Sequence, residues 1–208
     1  MDRSFELSSH LGTILSAVAL MLGVPQPAEC VEPAIPENEY RVWAAVLEHG
    51  LNEEFENIVI ANTTTGDPAA ISRDSPNVEE LAGALAIPPA TLTDWIRKNQ
   101  RRSVITRSLP IERAYSLITT EQLFLLFDDE DPVVNWQRFY ENHSQTPGLI
   151  RVSRVGFDRG LTHAVVYIEF ECGAECGSGR LVHLSRDEFG AWQVLSGELL
   201  WIAAEKPE

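Results

Sequence analysis

The chain has 208 residues and a mass of 23.2 kDa, enough for one full-sized domain whose core needs neither metal nor disulfide merely to fold. Hydrophobic residues at 44%, charged residues at 23% and a mean hydropathy of -0.10 exclude wholesale disorder, a collagen-like fibre and a polytopic membrane protein. Thirty-one acidic against sixteen basic residues give a formal charge of -15, which repels phosphate backbones and argues against nucleic acid as a general partner.

Near the N-terminus, the apolar run 11–24 has the length of a signal-peptide core and falls short of the roughly 20 residues of a bilayer span. Residues 1–28 are therefore expected to be an export leader, leaving a periplasmic or secreted chain with no stable transmembrane span. Asp2 and Glu6 beside the single Arg3 weaken the positive bias of such a leader, and cleavage after Ala28 would put Gln26 at the minus-three position. The alternative is a buried apolar N-terminal helix in a cytoplasmic protein. Prolines at 33 and 36 mark 29–36 as a linker, and 37–208 reads as a single α+β domain.

Tyr40, Trp43, Val46, Leu47, Leu51 and Phe55 recur at helical spacing and predict an amphipathic helix with one buried stripe. The β-branched segment 56–65 then predicts a strand. Residues 77–102 read as two helices parted by Pro88 and Pro89. That pair resembles a helix-turn-helix, and Arg97, Lys98, Arg101, Arg102 and Arg107 would give a DNA-binding regulator its basic patch. The run Asp128-Asp-Glu-Asp131 reads as a solvated helix end that opposes the macrodipole rather than as a cation site. Trp136, Phe139 and Tyr140 mark one buried face of a further helix.

The C-terminal third predicts an antiparallel meander over 149–203. Strands are expected at 149–157, 162–170 and 180–185, followed by one broken strand or two in 191–202. In the second, Ala164, Val166, Ile168 and Phe170 share one face, and Val165, Tyr167 and Glu169 the other. The expected fold class is α+β, with N-terminal helices packed on a C-terminal antiparallel sheet of at least four strands.

Cys172 and Cys176 are close enough in sequence for a local disulfide, which an oxidising compartment would form, leaving Cys30 free, lipidated or paired elsewhere. Between and beyond them, Gly173, Glu175, Gly177, Ser178 and Gly179 are the candidate ligand-binding residues, because tight glycine turns can aim backbone N–H groups at an anion. A structural hairpin clamp is the competing reading. His163 and His183 are the obvious zinc partners for the cysteines. Pairing Glu171 with Arg180, however, puts His163 opposite Glu188 and the two histidines about 16 Å apart, so neither metal nor cofactor is expected. Glu169, Glu171, Glu175, His163 and His183 are the residues available to an acid–histidine hydrolase, and two of them meeting in a cleft would favour that activity.

Trp136-Gln-Arg-Phe-Tyr140, Ser153-Arg-Val-Gly-Phe157, Ala164-Val-Val-Tyr167, the two Cys-Gly elements and Trp192-Gln-Val194 together resemble a bacterial family of uncharacterised, predicted exported proteins. Val165 stands where the family usually has Leu, and Glu175 where it has a more apolar residue. The resemblance implies export and carries no catalytic set. The leading expectation is an extracytoplasmic binding or structural-interaction protein whose partner is a protein or a cell-envelope component.

Overall fold

In chain order the elements are α1 (Glu37–His49), β1 (Asn57–Ala61), α2 (Val78–Ala84), α3 (Pro89–Lys98), β2 (Ala114–Ile118), α4 (Thr120–Leu126), α5 (Pro132–Asn142), β3 (Leu149–Val152), β4 (Gly156–Phe157), β5 (His163–Gly173), β6 (Cys176–Arg186) and β7 (Trp192–Ala203). They come from a computed structural model that describes residues 34–49, 57–66, 78–84 and 86–203, all within the unit Pro33–Glu208. The apolar run 11–24, Cys30, Leu51 and Phe55 lie outside the described residues. Among the described residues no helix is long and apolar enough to cross a membrane.

Local chemistry accounts for several helix ends. Pro89 opens α3, its fixed φ being suited to a first turn, and the Asn99 side chain closes it by donating to the Trp95 carbonyl at 2.8 Å. Thr119 and Gln122 form a reciprocal capping box at the start of α4. Asp131 caps α5 by accepting from the Val133 N–H at 2.8 Å, with Pro132 next in line. The acidic run therefore ends at a helix N-terminus, where its charge complements the dipole, and Asp128 and Asp129 pair with Arg138.

The expected segregation of helices and sheet is not what the chain does. One seven-stranded sheet runs β2-β1-β3-β5-β6-β7, with β4 pairing the start of β5. β1 pairs in parallel with both β2 and β3, whereas β3-β5-β6-β7 is antiparallel, so the sheet is mixed and draws strands from both halves of the chain. The physical reason lies in β2. Its Tyr115, Leu117 and Ile118 pair with β1 along the full strand, and α4 and α5 then carry the chain across β1 to its other side.

Alternation divides the sheet's residues between two faces. On one, Ile58, Ile60, Ile150, Val152, Ala164, Val166 and Ile168 pack beneath α1, whose Tyr40, Trp43, Val46 and Leu47 are buried against them. On the other, two separate apolar patches form. Leu81, Leu92 and Trp95 of α2 and α3 cover Val165 and Leu181, while Phe139 of α5 covers Val59, Ala61 and Leu149. Between those patches the face is polar, with Arg151, Glu169 and Glu171 on it.

The segment Ser153-Arg-Val-Gly-Phe157 ties the two faces together. Ser153 accepts from Trp43 Nε1 through its carbonyl at 2.9 Å, and through its hydroxyl from Trp95 Nε1 at 2.8 Å and the Tyr167 N–H at 2.9 Å. Arg154 grips the fully buried Glu39 with two bonds of 2.8 Å, and the Val155 N–H adds a third at 2.9 Å. Gly156 lies so close to the Trp95 backbone that a Cβ would collide with it.

This hub also absorbs much of the supposed recognition helix. Lys98 reaches Asp94 at 3.0 Å, Glu39 at 3.5 Å and the Val155 carbonyl at 2.8 Å, and its ammonium lies over the Phe157 ring. Arg97 pairs with Asp94 and Arg107 with Glu37. α2 and α3 are a covering layer on a sheet, which is not the bundle of a simple helix-turn-helix.

Candidate functional site

The polar gap holds a cleft of about 520 Å³. Its lining comes from four places: Thr63, Thr64 and Thr65 just past β1, Arg102 after α3, Thr120, Leu123 and Phe124 of α4 with Phe127 at its C-cap, and Arg151, Glu169 and Glu171 on the sheet. Strand order explains the position. β2 and β3 lie on opposite sides of β1, and a crevice opens outside the carboxyl ends of parallel strands where the order reverses in this way.

Each side chain has a reason for its place. Arg151 stands directly opposite Glu169 across the β3–β5 ladder, and Leu149 opposite Glu171, so all four share the face that bears Val59 and Val165. The threonines leave β1 as irregular backbone held from both sides. The Thr64 N–H donates to the Ser103 carbonyl at 2.8 Å, and the Thr65 N–H to Val152 at 2.8 Å. The hydroxyls of Thr63 and Thr120 meet at 2.9 Å, which joins the end of β1 to the start of α4.

The electrostatics are uneven. Arg151 donates to Glu171 at 3.1 Å. Among the described residues, Glu169 receives one long bond, of 3.5 Å, from the Thr65 hydroxyl. Burial, reinforced by the nearby Glu171 charge, pushes the Glu169 carboxyl above its ordinary range despite the opposing pull of Arg151, Thr65 and Arg102. Next along β5, burial chiefly pushes the Tyr167 phenol up to about 12, and its oxygen accepts from Trp201 Nε1 at 2.7 Å. The cleft can therefore offer a proton donor or acceptor, an ion pair, an exposed guanidinium and several hydroxyls to one ligand.

The glycine-rich residues lie elsewhere and in another conformation. Gly173 and Cys176 close a hairpin with only Ala174 and Glu175 between them, and Cys172 is disulfide-bonded to Cys176 across a Cα separation of 5.0 Å. Gly177, Ser178 and Gly179 are extended residues inside β6, paired with β5 on one side and β7 on the other. Their lack of side chains makes room for neighbours: a Cβ on Gly179 would fall on Trp201 and Tyr167, and one on Gly177 on the Phe170 carbonyl and against the Trp201 ring. Gly173, Glu175 and Cys176 line a second, shallower hollow of about 730 Å³ with Pro132, Val133, Ala174 and Ala203.

That short turn also corrects the register. Glu171 faces Gly177, not Arg180, and His163 faces Ser185, not Glu188. The histidines consequently meet on the diagonal, their rings stacked at 5.2 Å with Nδ1 of His163 and Nε2 of His183 3.0 Å apart. The expected separation came from assuming a loop of eight residues where the strands run almost to the tip. Even so, among the described residues no three His, Cys, Asp or Glu side chains gather as a metal ion would require.

Of the acidic and histidine candidates, Glu169 and Glu171 come together in the cleft, while Glu175 lies at the hairpin tip. His163 occupies the other end of β5, six residues and roughly 20 Å from Glu169, and His183 lies on β6 opposite Val165, four residues and roughly 13 Å along from Glu169. Arg151, Thr63, Thr64, Thr65 and Phe124 were not foreseen, and Arg102 was singled out for a DNA-binding patch rather than for this cleft. Their signal is faint but real: Glu169 and Glu171 alternate on the same face as the apolar Val165, and a carboxylate on a covered face asks for a cationic neighbour. Comparison with protein-family models, curated proteins and solved structures yields no match.

Proposed function

We propose that this is an extracytoplasmic binding protein that takes a small polar ligand in the cleft between α4 and the β3–β5 ladder. The observation that carries the reading is Glu169: a partly buried carboxyl with a raised pKa and one long hydrogen bond, facing a cavity of ligand size beside two arginines. The disulfide at the hairpin tip supports an oxidising compartment, as does the sequence resemblance to exported proteins. Thermal-shift screening of polar metabolites tests it. A stabilising ligand whose effect disappears in Glu169→Gln and Arg102→Gln supports the reading, and a full panel without a cleft-dependent shift refutes it. Intact-mass measurement of native protein, before and after reduction and with its cell fraction recorded, tests the location.

The pairing of Glu169 with Glu171 on one face of β5 favours a second reading, a hydrolase. Glu169 would donate the proton, and Glu171, ion-paired with Arg151, would supply the second carboxylate. Turnover of chromogenic ester and glycoside substrates that is abolished in Glu169→Gln would decide for it.

A further inference from the structure

We infer that the ligand of this cleft is a neutral saccharide of about disaccharide size, an inference that rests on the cleft being a binding site. The charges on its walls point there first. Arg102 and Arg151 face the same space as Glu169 and Glu171, so an anion entering it meets two carboxylates and a cation meets two guanidinium groups. A neutral ligand dense in hydroxyl groups suffers neither penalty. Each of its hydroxyls donates to a carboxylate and accepts from a guanidinium or threonine hydroxyl.

The polar groups are also held in advance. Arg151 is fixed by Glu171 at 3.1 Å, Thr63 by Thr120 at 2.9 Å, and the Thr65 backbone by Val152 at 2.8 Å. Little ordering remains to be done when a ligand arrives, which favours recognition through many weak hydrogen bonds.

The opposite wall is apolar and aromatic. Phe124 is 73% exposed although it lies on the cleft side of α4, and Phe127 beside it is held edge-on by Trp136 at 5.1 Å between ring centres. A pyranose ring has the matching anatomy, with a C–H face to lay on an aromatic ring and a rim of hydroxyls to hydrogen-bond. A single zwitterionic amino acid would satisfy charges of both signs, yet it leaves much of about 520 Å³ unfilled.

The test is isothermal titration of the disulfide-bonded protein with two probe sets at millimolar concentration. One contains the neutral disaccharides cellobiose, maltose, lactose and N,N′-diacetylchitobiose, and the other glycylglycine and alanylalanine as zwitterions of similar reach. Binding of a neutral disaccharide that weakens at least tenfold in Phe124→Ala and in Arg102→Ala is the expected result. Both positions are exposed, so both variants should fold, and Phe189→Ala, 89% exposed and outside the cleft, should bind as the parent does. Dipeptide binding that depends on Phe124 and Arg102, without disaccharide binding, overturns the saccharide inference and leaves the cleft a binding site. Disaccharide binding indifferent to both substitutions overturns it as well, because the sugar would then sit elsewhere. If neither set binds, the saccharide inference fails, and the broader metabolite screen decides whether the binding-site reading fails with it.

Discussion

Glu39 and Glu169 are both carboxylates drawn out of water beside an arginine, and they are treated in opposite ways. Glu39 is fully buried and receives two bonds from Arg154, one from the Val155 N–H and an ion pair from Lys98. Glu169 lies across from Arg151, yet that guanidinium turns to Glu171, and among the described residues only the Thr65 hydroxyl reaches Glu169, at 3.5 Å. The first arrangement spends its hydrogen-bonding capacity inside the fold, joining α1, α3 and the sheet. The second leaves capacity facing an open cavity. A buried charge with all its partners is architecture, whereas a partly buried charge short of partners beside a cleft is what a site looks like before its ligand arrives.

The comparison can be broken by substitution. Glu39→Ala should be the most damaging change, lowering unfolding stability by about 3–5 kcal/mol in urea titration because it strands the Arg154 guanidinium away from water. A loss under about 1 kcal/mol would mean that the hub is not what joins the layers. Ser153→Ala should cost at least about 2 kcal/mol, since it removes the acceptor of both Trp95 Nε1 and the Tyr167 N–H. Quenched or shifted tryptophan fluorescence would accompany it.

Replacing Cys172 and Cys176 together by serine should cost about 2 kcal/mol by the loop-closure argument for so short a ring. Because Cys172 follows Glu171 directly, ligand affinity should suffer more than the hub does, and equal hydrogen-exchange loss in both regions would contradict that division. The smallest effect, and the sharpest, belongs to Glu169→Gln. A carboxyl whose folded pKa is raised favours the folded state below its unfolded value and loses that contribution as pH rises through the raised value. The variant should therefore match or exceed the parent Tm at pH 8, and that advantage should vanish toward about pH 4, the ordinary glutamate range. A variant destabilised at pH 8 would show that Glu169 belongs to the architecture after all.

Much of the fold was legible before the structure. The α1 stripe, the two helices around Pro88 and Pro89, the helix bearing Trp136 and Phe139, and the division of β5 between two faces all follow from periodicity, which is a local property. β2 was not legible, because Ala114–Ile118 is short and becomes a strand only through its parallel partner β1. The same limit explains the register. Gly177 and Gly179 read as a flexible loop, yet they continue β6 because Trp201 lies over one and both Trp201 and Tyr167 over the other, contacts made by residues distant in the chain.

The candidate site divides in the same manner. Glu169 and Glu171 were among the residues weighed for acid chemistry, and the disulfide partners were recognisable from their spacing. Their companions were not, since Thr65, Arg102, Arg151 and Phe124 come from four separate stretches that meet only at the reversal of strand order around β1.

By itself, then, the amino-acid order determined the principal helices, the alternating faces of the longer strands, and that an acidic, cysteine-paired α+β body would result. Only the tertiary structure decided that the sheet is mixed, that the histidines touch and that Glu169 faces a cavity. Periodicity and capping act over a few neighbouring residues, whereas strand pairing and cleft formation depend on contacts between segments a hundred residues apart, which burial of the whole core selects together.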